Sequence, residues 1–185
     1  MWVFYGLPFV TGNNTLVISI NSVGLFLEVC YVVGFIYYCH TNKQRVNVGF
    51  KGIGIAVIFA LAAFFELYFD KSKTTRKLVA GIQSTVFSVC LYAMPLDVMR
   101  TVIKTKSAEY MPFPLCCAGF ANGIVWSIYA LMSKPVDIYI LIANGIGAIL
   151  GAVQIMLWLV YRNGPKAGEK PTQNKAELSS EDSIV

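Results

Sequence analysis

The sequence is poor in charged residues and in the side chains that bind metals. Only 14% of its 185 residues are charged, whereas a soluble domain carries roughly 25%. So few charges cannot cover a surface that faces water, which excludes a soluble enzyme, a nucleic-acid-binding protein and a disordered chain. Hydrophobic residues make up 56%, and the mean hydropathy is +0.61. We therefore expect lipid to be the main solvent and membrane lipid to be a partner.

Histidine and paired cysteines are equally scarce. His40 is the single histidine, and the five cysteines show no C-x-x-C spacing. A zinc site needs three or four convergent ligands, which this chain cannot supply convincingly. We expect no metal, no cofactor and no catalytic residue, so the chain is not predicted to be an enzyme.

Long apolar runs dominate what remains. A helix needs about 20 residues to cross about 30 Å of hydrocarbon. Five stretches meet this length: Thr15–Cys39, Gly52–Phe69, Leu78–Met99, Pro112–Met132 and Ile138–Tyr161. Met1–Val10 is as apolar but rises only about 15 Å as a helix, so it is interpreted as the last half of a further span. The sequence predicts an all-α transmembrane protein.

Basic residues predict the orientation of these spans. The predicted loops Asn42–Lys51 and Arg100–Glu109, with the segment after Tyr161, hold ten Lys and Arg residues, and the opposite side holds five. Cytoplasmic loops carry the excess of positive charge, so we expect a cytoplasmic C-terminus. The plasma membrane is the expected location, with the vacuolar membrane as the alternative.

An internal repeat is the strongest signal in the sequence. W-x-x-Y-x-L occurs at Trp2 and again at Trp126, and each copy is followed by N-x-x-G, at Asn21 and at Asn144. The tryptophan-to-asparagine spacing is 19 residues in the first copy and 18 in the second. Three spans separate the two asparagine-bearing helices, which predicts that these helices run in the same direction. A parallel repeat of this kind places a substrate between the two bundles, near the membrane midplane.

Asn21 and Asn144 are the first candidate binding residues. Each amide has donors and an acceptor without net charge, which suits a neutral, hydroxyl-rich solute. The alternative is that each amide only joins its helix to a neighbour. Trp126 offers a flat face for a sugar ring, or else it anchors its helix at the membrane interface. Glu28 is the only acid deep in a span. A proton or sodium relay usually needs more than one such group, so a single acid favours passive, uncoupled transport.

Pro95 interrupts a span close to its predicted cytoplasmic end. Proline lacks a backbone N–H, so the carbonyl of Leu91 loses its helical partner. A pathway that opens alternately to the two sides needs such weak points. Pro95 is therefore a candidate hinge, with a harmless kink as the alternative.

These segments resemble the SWEET sugar facilitators of plants. The resemblance covers nearly the whole chain to about Arg162 and is carried by four segments: W-V-F-Y-G-L-P-F-V (2–10), T-L-V-I-S-I-N-S-V-G (15–24), Y-A-M-P-L-D-V-M-R-T-V-I-K-T-K-S-A-E-Y-M-P-F (92–113) and N-G-I-G (144–147). It implies parallel three-helix-bundle repeats joined by a linker helix. The implied division is 1–39 as the remnant of the first repeat, 52–69 as the inversion linker helix, 78–161 as the second three-helix repeat and 162–185 as a disordered cytoplasmic tail.

The resemblance also implies function. It implies bidirectional, energy-independent transport of a sugar, here a monosaccharide, and assembly into oligomers. The implied roles are sugar binding by Asn21, Asn144 and Trp126, size selection at Leu91, hinges at Pro95 and Pro112, and an extracellular gate at Tyr5 and Asp137.

The sequence departs from the family pattern at its N-terminus. The first helix and half of the second are missing from it, so the first bundle is expected to be incomplete. The alternative function is that of a truncated, non-transporting subunit that oligomerises with full-length relatives and modulates them. A cargo receptor on the same fold is a weaker third hypothesis, because such receptors usually bury several charges in the cavity and this chain offers only Glu28.

Overall fold

A computed structural model describes residues 1–12, 14–69 and 72–165. The described residues form seven helices joined by short turns. These are α1 (Trp2–Tyr5), α2 (Thr15–Tyr38), α3 (Asn42–Phe69), α4 (Lys73–Leu91), α5 (Ala93–Thr105), α6 (Phe113–Met132) and α7 (Ile138–Tyr161). Five segments are long and apolar enough to cross a membrane, with α4 and α5 together forming one of them. The prediction of an all-helical membrane chain is confirmed.

Two predicted loops are wrong in their boundaries. Asn42–Lys51 is helical throughout and forms the first turns of α3, and α5 continues to Thr105 before the chain turns. Lysine, arginine and glutamine are good helix formers, so a helix can continue beyond its apolar part into polar surroundings. The apolar runs mark the part of each helix that faces lipid, whereas the helices themselves are longer.

Met1–Val10 does not form a continuous half-span within the described residues. Helix α1 ends at Tyr5, and Val10 and Thr11 fold back to donate backbone N–H groups to the carbonyl of Leu7. Pro8 explains the early end, because proline disfavours helical conformation in the residue before it. The predicted disordered tail lies, from residue 166 onward, outside the described residues.

The N-terminal unit comprises Met1–Val86. One part of its buried core lies where α1 packs on the start of α2, and Tyr5, Val10 and Val17 are each at most 1% exposed. A Cβ added at Gly6 would lie 2.8 Å from the Ile18 side chain, so the absence of a side chain there permits the contact.

The C-terminal unit begins at Phe87 and is built on the α6–α7 hairpin. A Cβ at Gly123 would lie 2.6 Å from the backbone nitrogen of Ala148, and one at Gly151 would lie 2.9 Å from the Cα of Phe120. Small residues let two helix backbones approach closely in a membrane, where packing drives association. Gly119 faces open space and takes no part in this contact.

A second cluster closes one end of the same unit. Met99, Val102, Met111 and Cys116 form its buried core, and Trp158 and Tyr161 of α7 pack against it. The backbone N–H of Ala108 donates to the carbonyl of Tyr161 at 3.2 Å, which joins the α5–α6 connection to the end of α7.

Candidate functional site

Asn144 lies seven residues into α7, on a half-buried face of the helix. Its side-chain N–H donates to the carbonyl of Ile140, one turn earlier, with a nitrogen-to-oxygen distance of 2.9 Å. Ile140 is 1% exposed, so the turn that receives this bond is fixed in the core. The amide carries a second N–H and an acceptor oxygen. This bond therefore sets the direction of the amide and uses only one of its two N–H donors.

Asn21 repeats this geometry in the N-terminal unit. Its side-chain N–H donates to the carbonyl of Val17 at 2.9 Å, and Val17 is also 1% exposed. Both asparagines thus lie seven residues into helices of 24 residues and are anchored in the same way. The repeat seen in the sequence is reproduced at the level of individual hydrogen bonds.

The aromatic part of the repeat is reproduced as well. The rings of Trp126 and Tyr129 meet edge to face, with centroids 5.5 Å apart and an interplanar angle of 84°. The rings of Trp2 and Tyr5 meet at 5.4 Å and 83°. Trp126 is half-buried on α6, so part of its ring surface remains accessible.

The helix interrupted by Pro95 is broken at Tyr92. Helix α4 ends at Leu91 and α5 begins at Ala93, while the N–H of Tyr92 donates to the carbonyl of Val89 at 3.1 Å. The break lies one turn before the proline, as expected for a residue that cannot donate to the carbonyl four positions earlier. Leu91, the candidate size-selective residue, ends α4 with 64% of its surface exposed.

Pro112 lies at the other predicted hinge and forms the N-cap of α6, with φ −61° and ψ 117°. Its fixed φ and missing N–H are compatible with the start of a helix, where the first N–H groups have no partner in the helix. Pro112 therefore ends the connection from α5 without breaking a helical hydrogen bond.

The two candidate gate residues are both buried in the described structure. Tyr5 is 0% exposed and its carbonyl accepts a hydrogen bond from the Thr11 hydroxyl at 2.7 Å. Asp137 is 5% exposed and caps α7, its carboxylate accepting from the N–H of Ile140 at 3.3 Å. Each therefore has a local structural task within its own unit.

The predicted residues divide between the two units. The α6–α7 hairpin carries Asn144, Trp126 and Asp137. The rest of the C-terminal unit carries Leu91, Pro95 and Pro112. The N-terminal unit carries Asn21 and Tyr5. Within the described ranges, no group of three His, Cys, Asp or Glu side chains could hold a metal ion.

Sequence reasoning missed Tyr92. Its hydroxyl donates to the carbonyl of Ala143, the residue before Asn144, and its ring packs on Gly147. The sequence carried a partial signal, because Tyr92 lies three residues before Pro95 and Gly147 is the glycine of the N-x-x-G motif. The contact spans 51 residues of sequence, which no local pattern reports.

Comparison with known proteins identifies relatives of this chain. Residues 78–166 match the family described as sugar efflux transporter for intercellular exchange. The chain is 46% identical over 165 residues to the bidirectional sugar transporter SWEET1b of Oryza sativa subsp. indica, covering 89% of this chain and 62% of that protein. It is 44% identical over 161 residues to SWEET5 of Arabidopsis thaliana, covering 87% and 66%.

A solved structure of a eukaryotic SWEET transporter matches with a TM-score of 0.81 and 32% identity. The match covers 86% of this chain and 73% of that structure. The chain spans a little over three fifths of the length of the curated relatives it matches.

Proposed function

This chain belongs to the SWEET family of sugar transporters and is an integral membrane protein, and we propose that it carries a monosaccharide across a membrane. Transport is bidirectional and needs no energy source. The proposal depends above all on one observation, the identical anchoring of Asn21 and Asn144 to the carbonyl one turn earlier in their helices. An amide that only joined helices would be expected to bond to a neighbouring helix, whereas these two bond to their own helix and keep a donor and an acceptor.

The chemistry of these groups suits a neutral sugar. Sugar hydroxyls donate and accept hydrogen bonds, and a carboxamide does both without the desolvation penalty of a charge. Trp126, half-buried beside Tyr129, offers an aromatic face to the apolar C–H face of the ring. We assign sugar binding to Asn21, Asn144 and Trp126.

The remaining roles concern passage and selection. Pro95 and Pro112 are proposed hinges, supported at Pro95 by the break at Tyr92. Leu91, a bulky side chain exposed at the end of α4, is proposed to limit sugar size. Tyr5 and Asp137 are proposed to form the extracellular gate.

Uptake by asparagine variants tests the proposal. We expect Asn144→Ala to abolish uptake of radiolabelled D-glucose into proteoliposomes that contain the purified chain. The substitution removes from the site both a hydrogen-bond donor and a hydrogen-bond acceptor for the sugar hydroxyls. Asn21→Ala should have the same effect. Asn47→Ala is the matched control, since Asn47 is exposed on α3, and it should leave uptake unchanged. Unchanged uptake in Asn144→Ala would contradict the proposal.

We further propose that the protein resides in the plasma membrane with its C-terminus in the cytoplasm. The excess of basic residues at one set of helix ends supports this orientation. An antibody against a C-terminal epitope tag should stain cells only after they are permeabilised. Staining of unpermeabilised cells would show that the C-terminus lies outside the cell.

A second candidate function is that of a non-transporting subunit that oligomerises with intact family members and modulates them. It is favoured by the exposure of α2, where Val17 is the one buried residue of the 24 described. A partner helix could cover this apolar surface. Co-purification with a full-length relative, together with no D-glucose flux from the chain alone, would support this function over transport.

A further inference from the structure

The side chain of Tyr92 reaches α7 on both sides of Asn144. Its hydroxyl donates to the carbonyl of Ala143, and a Cβ added at Gly147 would lie 2.6 Å from the same hydroxyl oxygen and 3.3 Å from the ring carbon that bears it. Residues four apart share one face of a helix, so Ala143 and Gly147 form a single surface that Tyr92 covers. Asn144 follows directly along the chain.

Tyr92 is itself fixed by the break between α4 and α5. It is the single residue between these helices, with φ −71° and ψ −7°. Its N–H donates to the carbonyl of Val89, and its own carbonyl accepts from the N–H of Leu96, both at 3.1 Å. The backbone at the break therefore sets the direction of the tyrosine side chain, and the side chain in turn contacts α7.

We propose that Tyr92 is a positioning residue for the sugar site, holding α7 in place on either side of Asn144 from the break between α4 and α5. The inference depends on the proposed function, because it assigns Tyr92 to the site that Asn144 forms. Tyr92 acts through Asn144, whose amide is anchored one turn earlier, on Ile140. Without the tyrosine hydroxyl, the helix has one fewer constraint at the position where the sugar binds.

A purely structural role must be separated from positioning. A tyrosine hydroxyl within an apolar span needs a partner whatever its function, and a single hydrogen bond between membrane helices contributes little to stability. Loss of the bond would lower the thermal midpoint of unfolding in either case. Only positioning predicts that the sugar concentration giving half-maximal transport changes as well.

Tyr92→Phe removes the hydroxyl and keeps the ring. We expect the apparent KM for D-glucose uptake into proteoliposomes to rise about threefold to fivefold, and the maximal rate to change by less than about twofold. Tyr110→Phe is the control, because Tyr110 is exposed and lies outside the helices. An unchanged KM in Tyr92→Phe, with or without a lower thermal midpoint, would overturn the inference.

Gly147→Ala tests the same contact from α7. The added methyl group displaces the tyrosine hydroxyl, so KM should rise as in Tyr92→Phe, whereas Gly119→Ala adds a methyl group in open space and should have no effect. Because both substitutions remove one contact, the double variant should have a KM no higher than that of Gly147→Ala alone. A KM equal to the product of the two separate increases would contradict a shared contact.

The two levels of the hypothesis fail differently. If the wild-type chain is folded but shows no D-glucose uptake, the proposed function fails, and the inference fails with it. If the wild-type chain transports and the KM values of Tyr92→Phe and Gly147→Ala equal that of the wild type, only the positioning role fails. Should Tyr92→Phe not fold, Gly147→Ala still decides the question.

Discussion

Helices α2 and α7 are the same length and carry the same N-x-x-G motif, yet they are packed very differently. Each has an asparagine seven residues from its start, bonded to the carbonyl one turn earlier at 2.9 Å. Of their described residues, α2 buries only Val17, whereas α7 buries Ile140, Ala143, Ala148 and Gly151. The candidate site is therefore repeated more faithfully than the packing around it.

Two features account for this difference: α7 packs along the 20 residues of α6, whereas α1 offers α2 only four, and the side chains on the two helices differ in size. The residues of α2 that correspond to Ala148 and Gly151 are Leu25 and Glu28, and Leu25 is 58% exposed. Small residues on α7 admit the backbone of α6, whereas larger ones at the same places on α2 cannot support so close an approach. Local hydrogen bonds are determined by the helix itself, while close packing requires small residues on both partners.

The largest effect is expected where the two backbones of the hairpin meet. In Gly123→Ala the new methyl group would lie 2.6 Å from the backbone nitrogen of Ala148 and 2.9 Å from its Cα, and backbone atoms cannot move aside as a side chain can. We expect the free energy of unfolding to fall by about 1 to 3 kcal/mol, measured by tryptophan fluorescence in detergent micelles.

Matched glycines provide the controls. Gly119→Ala on α6 and Gly24→Ala on α2 add a methyl group where nothing lies within 4 Å, and both should be neutral or slightly stabilising. A loss in Gly24→Ala as large as that in Gly123→Ala would show that α2 is packed as tightly as α7, and the contrast between the two helices would be lost.

Hydropathy and repetition in the sequence predicted much of this structure. The bounds of α7 agree with the prediction at both ends, and those of α2 and α6 agree to within one residue, because sharp changes from apolar to turn-forming residues coincide with the helix ends. The predicted start of α3 at Gly52 was wrong, because the polar segment Asn42–Lys51 also forms helix. Hydropathy reports the solvent around a helix rather than where the helix ends.

The candidate site was predictable only in part. Asn21 and Asn144 were found because a repeated polar residue in an apolar helix stands out in the sequence. Their bonds to Val17 and Ile140 were not foreseen, and neither was the contact of Tyr92 with α7. A hydroxyl group can bond to any carbonyl within reach, so its partner becomes evident only once the helices are placed.

A smaller effect is expected at the starts of the two helices. Asp137 accepts a hydrogen bond from the N–H of Ile140 as the N-cap of α7, whereas Asn14 at the same position of α2 makes no side-chain capping bond. Asp137→Ala should therefore lower the free energy of unfolding by about 1 kcal/mol, and Asn14→Ala by less. Asp137→Asn retains an acceptor and should recover most of the loss. Equal losses in the two alanine variants would mean that capping does not distinguish the helices.

The smallest effect is expected on the exposed face of α2. Leu25→Ala shortens a side chain that is 58% exposed and leaves no enclosed cavity, so the free energy of unfolding should change by less than about 0.5 kcal/mol. The measurement should be made at two protein-to-detergent ratios, because a helix of a second chain would cover this face only when chains associate. A loss above about 1 kcal/mol that grows with protein concentration would show that Leu25 is buried between chains. The contrast between α2 and α7 would then be a property of the single chain, and the oligomer would give α2 a packed face of its own.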